Sequence, residues 1–125
     1  MNPDIPGLEY FSCMEHAGGT IPGLALRNAA DGTIQWANWS SGDIGRCMAA
    51  DVDPNYKGME VWGWDGSGLR SCTGTLISST YPTTAGNGYT MNFGIWWDGD
   101  VQREILDRTV INKWNPNTYG SDRLV

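Results

Sequence analysis

The sequence predicts an all-β fold: part of a β-propeller, with about two and a half four-stranded blades in 125 residues. Three observations predict it. Glycine contributes 17 of the 125 residues, about twice ordinary usage. Seven Trp and five Tyr stand between the glycines, and aromatic residues between Gly-rich turns favour short strands. Segments of the chain also resemble one another 42 to 51 residues apart, the length of one four-stranded propeller blade.

The elements follow in order. Asn2-Pro3-Asp4-Ile5-Pro6-Gly7-Leu8-Glu9-Tyr10-Phe11 is a Pro/Gly loop that delivers Glu9 and an apolar pair into a strand. Leu24-Ala25-Leu26-Arg27 is a second short strand, and Gly32-Thr33-Ile34 turns into a third. Arg46 to Ala50 is a small-residue strand, the innermost of its blade, leading into Asp51-Val52-Asp53-Pro54. From Asp53 to Trp62 the opening segment repeats, with Pro, Gly and Glu coinciding and two apolar residues after each Glu. Gly68-Leu69-Arg70 and Gly74-Thr75-Leu76 repeat the strand and the turn. Phe93 to Trp97 leads into a third, shortened copy, Asp98-Gly99-Asp100-Val101-Gln102-Arg103-Glu104-Ile105-Leu106. Propellers close with 4 to 8 blades, so one domain spanning 1–125 is expected to be a piece of a longer protein, with the missing blades as its partners. The chain also starts inside its own repeat, at the position matching Val52.

Eight Lys and Arg against 14 Asp and Glu leave a net charge of −6. That argues against nucleic acid, which is held largely by basic residues on phosphates. No apolar run approaches the roughly 20 residues of a membrane helix. The start, Met1-Asn2-Pro3-Asp4, lacks the basic and apolar regions of a signal peptide. Three cysteines, Cys13, Cys47 and Cys72, have no Cys-x-x-Cys spacing and only one His beside them in the chain, which speaks against zinc. Buried free thiols are expected, with a single bridge as the alternative.

The acidic loops carry the chemistry. Asp51-x-Asp53 and Asp98-x-Asp100, followed by Glu60 and Glu104, place hard oxygens in tight loops, with Asn2 where the first copy matches Asp53. Calcium takes six to eight such oxygens. The competing reading is that Asp and Asn cap turns through their own backbone. His16, beside Glu15, is either a surface residue or a neighbour of a calcium loop. Arg46, in Asp43-Ile44-Gly45-Arg46, is suited to hold a carboxylate bidentately; the competing reading is an ion pair with Asp43 or Asp51. The pairs Trp36/Trp39, Trp62/Trp64 and Trp96/Trp97 are expected mostly to pack between blades, with stacking on sugar rings as the alternative. No nucleophile elbow, P-loop or dinucleotide fingerprint is present.

The segments Asn2 to Glu9, Asp43-Ile-Gly-Arg-Cys-Met-Ala-Ala-Asp-Val-Asp-Pro54, Gly58-Met-Glu-Val-Trp62 and Asn92-Phe-Gly-Ile-Trp-Trp-Asp-Gly-Asp100 resemble rhamnogalacturonan lyases of polysaccharide lyase family eleven. The resemblance implies a secreted protein with an eight-bladed propeller rich in calcium, which cleaves the rhamnose–galacturonate backbone of pectin by β-elimination. It implies that Arg46 binds the galacturonate of this acidic polysaccharide. It places Asp51, Asp53, Asp98 and Asp100 in calcium-loop segments; with the reading of the loops themselves, the candidate calcium ligands are Asn2, Glu15, His16, Asp51, Asp53, Glu60, Asp98, Asp100 and Glu104. It assigns no catalytic residue here: the family's active-site histidines precede Met1 and its Asn-Gly-Thr-Lys segment follows Val125, so the isolated chain is expected to be inactive. The alternatives are a non-catalytic calcium-stabilised β-repeat and a Trp-rich carbohydrate-binding module. A structural repeat has no need of an arginine in the Asp43–Arg46 segment, and the other two copies lack one.

Overall fold

The computed structural model describes residues 1–84 and 92–125. Among them are eleven strands in three small antiparallel sheets, with no helix and no closed barrel. The first sheet is β1 (Glu9–Cys13), β2 (Leu24–Asn28) and β3 (Ile34–Asn38), in that order. The second is β4 (Cys47–Ala50), β5 (Glu60–Gly63), β6 (Leu69–Arg70) and β7 (Leu76–Ser78), again in chain order. The third is β8 (Phe93–Ile95), β9 (Glu104–Asp107), β10 (Val110–Asn115) and β11 (Gly120–Arg123). Each sheet is therefore a meander, as short antiparallel strands joined by tight turns require.

Each repeated Glu opens its strand: Glu9 starts β1, Glu60 starts β5 and Glu104 starts β9. The expected strands at 24–27, 69–70 and 46–50 are present within a residue or so, while β8 stops at Ile95, before the two tryptophans. One expectation is overturned. In place of two and a half blade-like units, the described residues form three sheets, and the third copy lies in a complete four-stranded one. Its turns escaped notice because they lack glycine at the left-handed position. Arg108 (φ 53°) and Tyr119 (φ 52°) take the conformation that Gly32 and Gly74 take elsewhere, a placement uncommon for non-Gly residues.

The core lies between the second and third sheets. Ala50, Val52, Trp62, Leu69, Ile105 and Trp114 form one buried cluster, with Met48, Ile77 and Tyr81 packed at its margin. All four residues of β5 are buried, so Glu60-Val-Trp-Gly63 shows no alternation; a strand covered on both faces has none to show. Truncating an indole as enclosed as Trp62 costs about 3–5 kcal/mol.

The first and second sheets are joined by chemistry and by packing. Cys13, ending β1, and Cys47, opening β4, form a disulfide with their Cα atoms 5.9 Å apart. Two of the three expected free thiols are thus paired, and Cys72 alone remains a buried thiol. Trp36 of β3 reaches across to donate its Nε1–H to the Cys72 carbonyl at 3.1 Å. Its ring lies where any Cβ at Gly74 would stand, 3.0 Å away, so the turn before β7 is glycine for two reasons: a φ of +85° and the indole against it.

Candidate functional site

The three acidic loops are built around one device. Each Glu that opens a strand turns its Oε2 back onto a backbone N–H seven residues earlier. Glu9 accepts from Asn2 at 3.3 Å, Glu60 from Asp53 at 2.9 Å and Glu104 from Trp97 at 2.7 Å. Glu60 also accepts from Val52 at 2.9 Å. Glu9 was not among the sequence candidates, although its seven-residue spacing from Asn2 repeats that of Asp53 and Glu60.

The aspartates do cap turns, as the competing reading held. Asn2 Oδ1 accepts from Asp4 N–H, Asp53 Oδ1 from Asn55, Asp98 Oδ1 from Asp100 and Asp100 Oδ1 from Gln102, all at 3.0–3.3 Å. Asp53 is committed further: its Oδ2 accepts the Trp114 indole N–H at 3.1 Å, buried. Asp51 meets the third sheet through its carbonyl, which accepts from Arg103 N–H at 2.6 Å.

What remains for a cation differs between loops. Glu60 is fully buried, and its Oε1 has no hydrogen-bond partner. Burial, with Asp51 and Asp53 nearby, outweighs the two backbone donors and raises its pKa from 4.5 to about 7. An unpartnered buried carboxylate oxygen is costly, and a cation is its natural complement. In the third loop Asp98, Asp100 and Glu104 bring one oxygen each within 4.8 Å of one another, close enough to hold a metal ion. Lys113 stands among them: its Nζ pairs with Asp98, and lies 2.6 Å from Asp100 Oδ2 and 3.1 Å from Glu104 Oε1. That last contact is an ion pair without hydrogen-bond alignment, as Glu104 Oε1 has no hydrogen-bond partner. Burial alone would lower the Lys113 pKa, but its pairing with the Asp100, Asp98 and Glu104 carboxylates holds it above the usual lysine range.

Glu15 and His16 do not join these loops. Both are exposed in the turn after β1, at the opposite end of that strand from Glu9, and His16 Nδ1 lies 3.2 Å from the Glu15 carbonyl.

Arg46 lies just before β4, beside a cavity of about 160 Å³ lined by Asp43, Gly45, Arg46 and Trp64. Main-chain pairing positions the aromatic wall: Trp64 N–H donates to the Arg46 carbonyl at 3.0 Å. The Arg46 guanidinium donates to Asn92 Oδ1, and Asn92 Nδ2 donates to Asp107 at 2.7 Å. Asn92 and Asp107, unremarked as functional in the sequence, therefore orient Arg46. The guanidinium and the indole beside this cavity suit an anionic sugar, the first for its carboxylate and the second for a ring face.

The tryptophans divide otherwise than expected. Trp62 and Trp114 pack inside and Trp36 is half-buried, but Trp39, Trp64, Trp96 and Trp97 are exposed. Trp96 carries the Arg103 guanidinium over its ring at 3.3 Å.

The family model described as "Rhamnogalacturonan lyase family 11, C-terminal domain" matches residues 1–125. The chain is 46% identical over 115 residues to rhamnogalacturonan endolyase YesW of Bacillus subtilis (strain 168), covering 92% of this chain and 17% of that protein. It is 42% identical over 131 residues to rhamnogalacturonan exolyase YesX of the same organism, covering 92% of this chain and 20% of that one. The crystal structure of YesW superposes with a TM-score of 0.86 over 98% of this chain and 20% of that one, at 42% identity. That of the Bacillus licheniformis family 11 lyase gives 0.86 over the same shares at 41%. The chain thus spans about a fifth of the length of these relatives.

Proposed function

The chain belongs to rhamnogalacturonan lyase family 11, matching its C-terminal domain, and from that premise we propose that its protein cleaves rhamnogalacturonan by β-elimination. The observation that carries this reading is the Arg46 cavity, with a guanidinium held by Asn92 beside an exposed indole. In elimination a base removes the C5 proton of galacturonate, the C4–O bond to the departing sugar breaks, and a C4=C5 double bond forms. Proton loss builds negative charge beside the existing carboxylate, so a donor aimed at that carboxylate lowers the barrier. Arg46 takes that role, Asn92 and Asp107 fix its orientation, and Trp64 offers a ring face to the sugar. No catalytic base is assigned within these residues.

The three sheets are read as successive blades of a larger propeller, and the protein as secreted; the Cys13–Cys47 disulfide supports an oxidising compartment. Calcium is the cation proposed for the second loop, where the unpartnered Glu60 Oε1 fits it, with Asp51 and Asp53 adding charge. Bound there, calcium supplies fixed positive charge and holds the loop's shape.

The test is incubation of the intact protein with rhamnogalacturonan and, separately, with homogalacturonan, following ultraviolet absorbance of the unsaturated uronate. Product from the first substrate alone is expected. Absence of unsaturated product from rhamnogalacturonan would overturn the lyase reading. A second reading, a carbohydrate-binding module without catalysis, draws on the four exposed tryptophans; binding of the polysaccharide without turnover would favour it.

A further inference from the structure

The three loops differ in what stands across the ladder from their glutamates. In the first sheet Glu9 pairs with Asn28. In the second, Val61 pairs with Arg70, which sets Ser71 across from Glu60 one step further on. In the third, Ile105 pairs with Asn112, which sets Lys113 across from Glu104. Equivalent positions thus hold Asn, Ser and Lys, and among the described residues only the third copy has a cationic side chain there. Its ammonium is 2.6 Å from Asp100 Oδ2 and 3.1 Å from Glu104 Oε1, and also pairs with Asp98 Oδ2. Calcium would need those oxygens at 2.3–2.6 Å. An ammonium hydrogen-bonded to Asp98 and Asp100 and ion-paired with Glu104 therefore occupies the space the metal would need.

We propose that Lys113 is a built-in cation filling the third loop, so that Asp98, Asp100 and Glu104 take no divalent ion. The donor set that looks most like a metal site from its carboxylates alone is then closed by the chain itself. The second loop, with neutral Ser71 in the same register and Glu60 Oε1 unpartnered, is left open. The contrast between loops rests on the calcium reading above; the closure of the third loop does not.

The experiment measures bound calcium per molecule of intact protein by equilibrium dialysis and elemental analysis, with folding verified by circular dichroism. Asp98→Asn with Asp100→Asn is expected to bind as many ions as the wild type. Lys113→Met is expected to bind one more, because three converging carboxylates lose their ammonium; Lys113→Gln serves if the Met variant does not fold. Loss of one ion in the double Asn variant would overturn the proposal, and so would no gain in a folded Lys113 variant. Glu60→Gln reports separately on the second loop: an unchanged count there rejects the calcium reading and leaves the Lys113 result standing.

Discussion

Glu60→Gln tests the second loop most directly, because the charge it removes has a cost readable from the structure. Below about pH 4.5 the Glu60 carboxyl is protonated in folded and unfolded chains alike, and its burial costs no ionisation energy. As pH rises, the unfolded chain releases its proton at the ordinary 4.5, while the folded chain keeps it to about 7. Folding stability must therefore fall through that window, as the folded state binds the extra proton. At about 1.4 kcal/mol for each unit of pH, the full loss is about 3 kcal/mol above pH 7. Glutamine keeps an oxygen for the Val52 and Asp53 N–H groups, but its NH₂ inherits the position where Oε1 has no partner. An orphaned buried amide costs about 1–2 kcal/mol. In chelator near pH 8 the variant should thus be more stable by about 1–2 kcal/mol, and its pH slope should be flatter. Calcium should reverse the order, since only the wild type gains from a ligand bound to the folded state. The assay is denaturant unfolding from about pH 4 to pH 8, with chelator or calcium. A wild type whose stability in chelator does not fall across that range would refute the reasoning.

Further outcomes follow from other contacts. Arg46→Lys should keep the fold but impair elimination, because lysine cannot reproduce a bidentate fork. Arg46→Ala should cost about 2–4 kcal/mol of transition-state stabilisation, roughly 30- to 1000-fold in kcat/KM. Activity beside a melting curve separates this from an ion-pair role, which would lower stability and spare turnover. Cys13→Ser should lower unfolding free energy by about 3–4 kcal/mol, the loop-closure value for a 34-residue separation, measured under oxidising conditions. Gly74→Ala should cost about 1–3 kcal/mol in a thermal melt, because its φ is +85° and its Cβ would stand 3.0 Å from the Trp36 ring. Residues 1–125 produced alone should self-associate on size exclusion, since open sheet edges and exposed apolar faces have nothing to cover them.

Much of the fold was legible because the repeat is written in residues whose conformation is special. Gly32 and Gly74 mark turns that need positive φ, and the Glu before an apolar pair marks where a strand begins. β10 and β11 were missed where those marks are absent: Arg108 and Tyr119 take positive φ without being glycine. At the site, Arg46 and the acidic loops stood out by composition, but their partners did not. Asn92 lies 46 residues from Arg46, and the Lys113 pairings depend on ladder register, which composition does not encode. The Cys13–Cys47 bond is likewise a property of two sheets meeting. Glu15 and His16 drew notice for residue type alone, in a turn remote from the loops that their chemistry suggested.

The acidic loops also govern how the sheets meet, which ties the cation question to the Arg46 cavity. Met59 N–H donates to the Met1 carbonyl at 3.1 Å, linking the first loop to the second. Trp114 of the third sheet donates into Asp53, and Arg103 donates to the Asp51 carbonyl. Each loop is thus a seam as well as a turn, and its shape is held by a glutamate folded back on its own backbone. Arg46 depends on that seam, because its partner Asn92 belongs to the third sheet's entry while Arg46 belongs to the second's. A cation bound beside Glu60 would act on the distance between guanidinium and Asn92 through Asp51, Asp53 and their bonds to the third sheet. Calcium removal from the second loop should accordingly weaken substrate binding as well as stability, with Trp64 fluorescence reporting the cavity. A melting temperature that drops in chelator while KM stays unchanged would separate the seam from the site.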